Sequence, residues 1–513
     1  MRALLQRPGW AGDLLALAAG ALLTLAFAPF GWWPLGLVAM ALYGLLIHDL
    51  GPSRGAWRSY LFGAGLFVSG SSWVYVSIHD YGQAPVALAG LLTLVFCLGL
   101  ALFFALLGLI HGRWLRGRPG GAVAGLALVW VLLDWLRSWL LTGFPWLYPG
   151  YAFIDTPLAG WAPVGGIWLV SLTALWTGLS LGQWLQRRPG WRAVLAVAGL
   201  WLGGGLLGQV NWTEAEGEPL RVALVQANIS QSVKWDPAEF QPTLERYQSM
   251  SSELWHSHDL VVWPEAAIPG YFQAVEEFVD ALQAEGEGAA LLTGTPWLDE
   301  RGEFGTGGRS AYNSVVVVDR RDPGRERPVY HKQHLVPFGE YVPLEQWLRG
   351  LIAFFDLPMS SFSAGSRPQP GLEAADQLLA PAICYEVVYP EQLRQFLPAA
   401  RVLVTLSNDA WFGRSIGPHQ HLQMARMRAL EYGREMIRAT GNGITALVDH
   451  RGDLRHQLPQ FEQAVLSGTV QPRRGWTPFA ATGTAFWVGG MALALGGLLR
   501  RGPTRHNSIS QSS

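Results

Sequence analysis

The chain has 513 residues, half of them hydrophobic, only 15% charged, and 25 of them tryptophan. That composition points to a membrane protein. A net charge of −1 carries no basic footprint for nucleic acid, and two cysteines exclude a disulfide framework. Lysine and arginine together number 37, yet Lys234 and Lys332 are the only lysines. Where positive charge alone suffices, the chain uses arginine. A retained lysine therefore marks a place that needs a compact ammonium able to give up its proton.

In chain order, apolar stretches near 11–28, 33–48, 59–78, 85–110, 121–141, 158–183, 193–210 and 477–499 read as membrane spans, a bilayer crossing taking about 20 residues. The second is short. The first reads as an anchor, because it lacks a clear small-residue cleavage site and another apolar segment follows at once. Arginines cluster before the first span (Arg2, Arg7), between the second and third (Arg54, Arg58), and after the fourth (Arg113, Arg116, Arg118), the sixth (Arg187, Arg188, Arg192) and the last (Arg500, Arg501, Arg505). The intervening short loops "APFGWWP" and "HDYGQAP" carry none. The positive-inside rule then puts both termini in the cytoplasm and the large segment after the seventh span on the far side. The expected organisation is a seven-span domain at 1–210, an extracytoplasmic domain at 211–472, a final transmembrane helix at 473–500 and a disordered tail at 501–513.

Near the end of the fifth span, Asp134 and Arg137 are spaced to pair on one helix face. They are either a structural ion pair or a substrate-facing group at membrane depth. In 211–472 charges and turns return. Strand-like runs "LRVALVQANI", "DLVVWPEA", "AALLTGTPW", "YNSVVVVD", "LLAPAICYE", "RVLVTLSND" and "GITALVDH" alternate with helix-like stretches. Among the latter are "PAEFQPTLERYQSMSSELW" and "GPHQHLQMARMRALEYGREMIRATGNG", the second with Gly-Asn-Gly as its stop. The pattern predicts a layered α/β domain.

Cys384 ends a strand-like run and precedes a helix-like "YPEQLRQFL". It is either a small buried hydrophobe or a nucleophile presented at a strand-to-helix turn. A thiol needs activation to attack an ester or amide. His331, His334, His419 and His421 are available, as is Glu265, which follows the strand of "LVVWPEAAIP" directly. Lys332, in "YHKQHLVPFGEYVP", is the lysine suited to lowering a thiol pKa or neutralising an oxyanion. Lys234, in "QSVKWDPAEF", reads as a surface or substrate-entry residue. The apolar segment 344–363, "LEQWLRGLIAFFDLPMSSFS", is either a helix of the domain core or an arm that dips into a membrane or lids a site.

The blocks "LVVWPEAAIP", "YHKQHLVPFGEYVP" and "AICYEVVYPEQ", in that order, resemble the three active-site blocks of the nitrilase superfamily. The spans, together with "NISQSVKWDP", "TGFPWL" and "LVTLSNDAWFGRSIGPHQHLQMARMRALE", are similar to its membrane-embedded branch, the bacterial apolipoprotein N-acyltransferase family. The resemblance implies an αββα sandwich and a Glu265–Lys332–Cys384 triad. It implies supporting roles for Glu340, Tyr385 and Glu386, and places Trp235 nearer the substrate. Trp411, in "WFGRSIGP", is a further aromatic for substrate binding. The implied reaction moves an acyl chain from a phospholipid, typically phosphatidylethanolamine, through a cysteine thioester. The acceptor is the α-amino group of the lipidated N-terminal cysteine of an apolipoprotein. The implied setting is the bacterial inner membrane with the catalytic domain in the periplasm, as a monomer and with neither cofactor nor metal. Two rivals stand beside it: a membrane-anchored amidase, for which eight spans are unneeded, and a transporter, whose spans would carry a chain of ionisable groups.

Overall fold

The computed structural model describes residues 9–186, 189–284, 288–299, 310–319, 327–341, 362–397 and 399–500. The chain divides into two compact units. One comprises residues up to Ser72, Leu91–Gln209 and Thr484 onward; the other comprises Trp73–Gly90 and Val210–Gly483.

The first unit is helical. Its apolar helices include Trp10–Thr24, Trp33–Ile47, Pro52–Gly70, Leu126–Arg137, Ala162–Gln186 and Trp191–Leu207. Among the described residues, three helical stretches are long and apolar enough to cross a membrane: Val86–Leu115, Pro157–Gln186 and Pro478–Arg500. A fourth results if Pro52–Gly70 and Val74–Tyr81 count as one. Trp10–Thr24, Trp33–Ile47 and Trp191–Leu207 are shorter apolar helices. The helix expected to begin near 59 starts at Pro52, because a proline is favourable at the first helical position. Arg54 and Arg58 therefore sit inside this helix rather than in a loop. Arg54 Nη2 donates to Asp13 at 2.6 Å and Arg58 Nε to Asp13 at 3.2 Å. Arg58 Nη1 also reaches the Leu46 carbonyl at 3.0 Å. Backbones cross closely here: a Cβ on Gly20 would lie 1.9 Å from the Phe62 oxygen, and one on Gly65 would lie 2.0 Å from the Leu17 oxygen. Such contact gives apolar helices dispersion energy that lipid cannot supply.

In the same unit the Asp134–Arg137 pair closes at 2.7 Å. Arg137 Nη1 also donates to the Phe144 and Trp146 carbonyls, and its guanidinium lies over the Phe67 and Tyr148 rings. The pair is thus a pin that ties the helix end to the buried "TGFPWLYPGY" segment, which is the structural one of its two readings.

The second unit is built on strands β1 (Thr213–Ala215), β2 (Leu220–Gln226), β3 (Leu260–Val262), β4 (Ala290–Asp299), β5 (Ser310–Val318), β6 (Val329–His331), β7 (Leu372–Ala374), β8 (Gln377–Ile383), β9 (Val402–Ser407), β10 (Met436–Thr440), β11 (Ala446–Val448), β12 (Leu454–Gln457), β13 (Ala464–Val470) and β14 (Arg473–Gly475). Two six-stranded sheets form, in the orders β13-β2-β3-β4-β5-β6 and β12-β11-β10-β9-β8-β7, and β1 pairs with β14. β2, β3 and β4 run parallel, as do β8, β9 and β10. β3 and β9 are buried throughout, the mark of parallel strands covered on both faces. One cover is the core of Val225, Val261, Trp263, Leu291 and Val316 packed with Tyr247, Val279 and Leu282 from the helices Pro237–Ser251 and Glu276–Ala284. Each such buried side chain contributes roughly 1.5–3 kcal/mol. The other cover is the sheet-to-sheet contact of β2 with β10 and of β5 with β7 and β8.

One expected helix is corrected. "GPHQHLQMARMRALEYGREMIRATGNG" forms a helix only over Gly417–Tyr432. It stops at Gly433, φ +59, where a Cβ would lie 2.8 Å from Thr213 Cγ2. Met436–Thr440 then becomes β10, parallel to β9. The glycine ends the helix in the left-handed conformation that other residues resist. Segment 344–363 falls almost wholly outside the described residues.

Candidate active site

Three strand ends converge. Glu265 follows β3, Lys332 follows β6, and Cys384 follows β8 as the first residue of the 3-10 turn Cys384–Val388, itself followed by the helix Pro390–Arg394. The anticipated strand-to-helix turn is therefore present. Cys384 is half-buried and adopts φ +49, a left-handed conformation that a side chain resists and that its surroundings must impose.

Glu265, Lys332 and Glu340 form one buried cluster. Lys332 Nζ lies 2.9 Å from Glu340 and 3.4 Å from Glu265 Oε1. Lys332 is 1% exposed, so its charge must be balanced inside the protein. Burial works against that charge. The Glu340 and Glu265 carboxylates, with a lesser contribution from Cys384, outweigh burial and hold the ammonium above its ordinary pKa. Glu265 Oε1 accepts from Asn313 Nδ2 at 2.8 Å, and its Oε2 accepts the Asn408 backbone N–H at 2.6 Å. Glu340 Oε1 accepts from Asn313 Nδ2 at 2.8 Å, and Oε2 accepts the Val336 N–H at 2.8 Å. The Cys384 thiol is pushed well above its ordinary pKa by burial first and then by the Glu265 charge, while Lys332 pulls the other way. Its resting form is the neutral thiol, which needs a base before it can attack.

Glu386 answers a different need. Its Oε2 accepts from Ile383 N–H at 2.7 Å. Its Oε1 accepts from Gln333 N–H at 2.7 Å, His334 N–H at 3.1 Å and the Tyr330 hydroxyl at 2.9 Å. Burial lifts its pKa to about 7 against these donors. One carboxylate thereby clasps the Cys384 turn to the loop that carries Lys332. Tyr385 packs its ring against His334 and Tyr389, at 5.7 and 5.3 Å between centroids. Both residues brace the turn.

Of the two readings of Lys234, surface or substrate entry, burial removes the first. Lys234 is 5% exposed, and its Nζ donates to the Glu265 carbonyl at 3.2 Å. Burial pulls its pKa down to about 8, while Glu265 resists that shift. Both lysines of the chain thus converge on Glu265. Trp235 beside it is half-buried. Trp411 lies in the 3-10 turn Asp409–Phe412; its carbonyl accepts from Ser77 Oγ at 2.8 Å, and its ring meets Tyr81 edge-on at 5.7 Å.

The sequence reading passed over Asn313 and Asn408. Asn313 is legible as the one amide in β5, "SAYNSVVVV", because a buried amide demands partners. Asn408 acts through its backbone, and composition cannot report that. Donor atoms of Cys384, Asp409 and His421 lie within 4.8 Å of one another, a spacing that a cation could use. However, both Asp409 oxygens and both imidazole nitrogens of His421 already have protein partners.

This two-sheet domain has the carbon-nitrogen hydrolase fold, and residues 221–475 match the carbon-nitrogen hydrolase family. Residues 19–180 match the apolipoprotein N-acyltransferase N-terminal domain. The apolipoprotein N-acyltransferase of Azotobacter vinelandii is 48% identical over 505 residues, covering 96% of either chain. That of Vibrio cholerae is 42% identical over 490 residues, covering 93% of this chain and 95% of its own. An amidase from Nesterenkonia sp. is similar in structure over 50% of this chain and 92% of its own, with 19% identity and a TM-score of 0.35. The chain belongs to the apolipoprotein N-acyltransferase family.

Proposed function

We propose that the protein transfers an acyl chain from a phospholipid, through a thioester on Cys384, to the α-amino group of the S-diacylglyceryl-cysteine that begins an apolipoprotein. The observation that carries this reading is the buried Glu265–Lys332 pair, 3.4 Å apart, with both charges acting on the Cys384 thiol, in a chain of this family. Apolar helices able to cross a bilayer support a lipid donor, phosphatidylethanolamine being the expected one. The proposed setting is the bacterial inner membrane, with residues 211–472 in the periplasm and both termini in the cytoplasm. The chain acts as a monomer.

In the first half-reaction Glu265 takes the Cys384 proton and the thiolate adds to the ester carbonyl. The oxyanion forms beside the Lys332 ammonium. The C–O bond breaks, and the glycerol oxygen leaves with the proton from Glu265 as lysophospholipid. In the second half-reaction the lipoprotein amine adds to the thioester and Glu265 takes its proton. The C–S bond breaks, and the thiolate recovers that proton. Ester plus amine gives amide plus alcohol, with the enzyme unchanged. Glu340 and Asn313 hold Lys332 and Glu265 in register, and Tyr385 and Glu386 brace the nucleophile. Trp235 and Trp411 are proposed to face the lipid substrates.

Mass spectrometry of the purified protein incubated with phospholipid alone tests the reading. An acyl adduct on Cys384 is expected, and it should discharge when a diacylated peptide is added. Cys384→Ser should abolish both adduct and transfer; normal transfer by that variant would remove Cys384 from the mechanism. Turnover of small amides without any lipid adduct would favour the amidase.

A further inference from the structure

We propose that Arg438, Asp409 and His421 form a positioning chain that aims the nucleophile's own peptide plane; the inference rests on Cys384 being the acyl carrier. His421 Nε2 lies 3.1 Å from the Cys384 carbonyl oxygen. A carbonyl only accepts, so this bond requires the proton on Nε2. His421 Nδ1 packs 2.9 Å from Asp409 Oδ1, and Arg438 Nη2 donates to Asp409 Oδ2 at 2.7 Å. Arg438 Nη2 also lies 3.1 Å from His421 Nδ1. The His421 and Arg438 side chains are fully buried, and so is the Asp409 carboxylate. Three ionisable side chains buried together are costly, so their geometry is held rigidly or not at all.

Each link comes from a different element: Arg438 from β10, His421 from the helix Gly417–Tyr432, Asp409 from the turn after β9. Through His421 they end on Cys384, whose backbone is held at φ +49. A bond to the Cys384 carbonyl supplies part of that restraint. It also does more, because the peptide is planar and trans. The Cys384 carbonyl and the Tyr385 N–H lie on opposite edges of one rigid plane. Fixing the carbonyl on His421 fixes the Tyr385 N–H to point away from His421. An N–H just after a nucleophile is a natural second donor to an oxyanion. His421 holds the Cys384 carbonyl and is argued to act through it, so it is a positioning residue.

The test contrasts two polar substitutions. In His421→Gln the amide nitrogen reaches the place of Nε2 and keeps the bond to Cys384. In His421→Asn it reaches only the place of Nδ1 and keeps Asp409 alone. The rate of Cys384 acylation by phospholipid in a single turnover should stay within about threefold of the parent for H421Q. It should fall about 10- to 100-fold for H421N, with KM for the phospholipid unchanged in both. Asp409→Asn, which preserves the shape of the cluster, should lower the same rate with KM unchanged. Every variant should keep the parent's cooperative thermal unfolding in detergent, which separates misaiming from misfolding. Equal acylation rates in H421Q and H421N, or a parental rate in D409N, overturn the proposal. Absence of any acyl adduct on the parent would instead overturn the acyl-carrier reading.

Discussion

Around Glu265, single atoms decide what the chemistry can be. Its carboxylate accepts from Asn313 and from the Asn408 backbone, and its carbonyl accepts from Lys234. Both side-chain oxygens are directed, one toward Lys332 and one toward the strand that precedes Asn408. Such fixed hydrogen bonding removes reorganisation from the proton transfer assigned to Glu265. Lys234 has a measurable signature. Its pKa is about 8 in the fold against 10.5 ordinarily. Below pH 8 both folded and unfolded chains hold the ammonium, and the fold bears the full desolvation cost. Between pH 8 and 10.5 the unfolded chain binds more protons, so stability rises with pH. Lys234→Met lacks this dependence. The parent should therefore gain on the variant by up to about 3 kcal/mol across that window. Denaturation in detergent at each pH measures the difference; a difference that does not change with pH would contradict the assigned shift.

Elements, rather than residues, set the spacing of the site. The turn Pro264–Ala266 lies against β4 at Gly294, where a Cβ would fall 2.6 Å from Glu265 Cα and 2.6 Å from the Pro264 oxygen. Both are backbone atoms, so an added methyl must push the whole turn aside. Gly294→Ala should cost about 1–3 kcal/mol of stability, the usual range for overpacking. It should also cut the acylation rate of Cys384 at least about tenfold, because Glu265 shifts relative to the thiol. Thermal unfolding and single-turnover acylation read the two effects; parental values for both would mean that the close approach does not constrain Glu265. Gly433 shows the same principle at a helix end, where a left-handed residue converts an expected long helix into helix, turn and strand. That conversion places Arg438 on β10, within reach of Asp409.

For the molecule as a whole, arginine placement and apolar helices lead to one topological prediction. Gln457 and Arg113 are both exposed, the former on β12 and the latter in the last turn of the Val86–Leu115 stretch. In a background without Cys384, a membrane-impermeant maleimide should label Gln457→Cys from outside intact inner-membrane spheroplasts. It should label Arg113→Cys only after permeabilisation. The reverse pattern would invert the proposed orientation.

The sequence alone determined the polarity pattern, the alternation of strands and helices after residue 211, and the Glu265, Lys332 and Cys384 blocks. Each of these is a local property: hydropathy over one segment, periodicity over one strand, or a short ordered motif. Tertiary structure alone decided that Lys234 is buried on Glu265, that Arg54 and Arg58 share Asp13, that Glu386 clasps two loops, and that His421 reaches the Cys384 carbonyl. Those contacts join residues 31, 41, 45, 53 and 37 positions apart. Their energy exists only once sheets and helices have excluded water around them, and no local pattern in the chain records that exclusion.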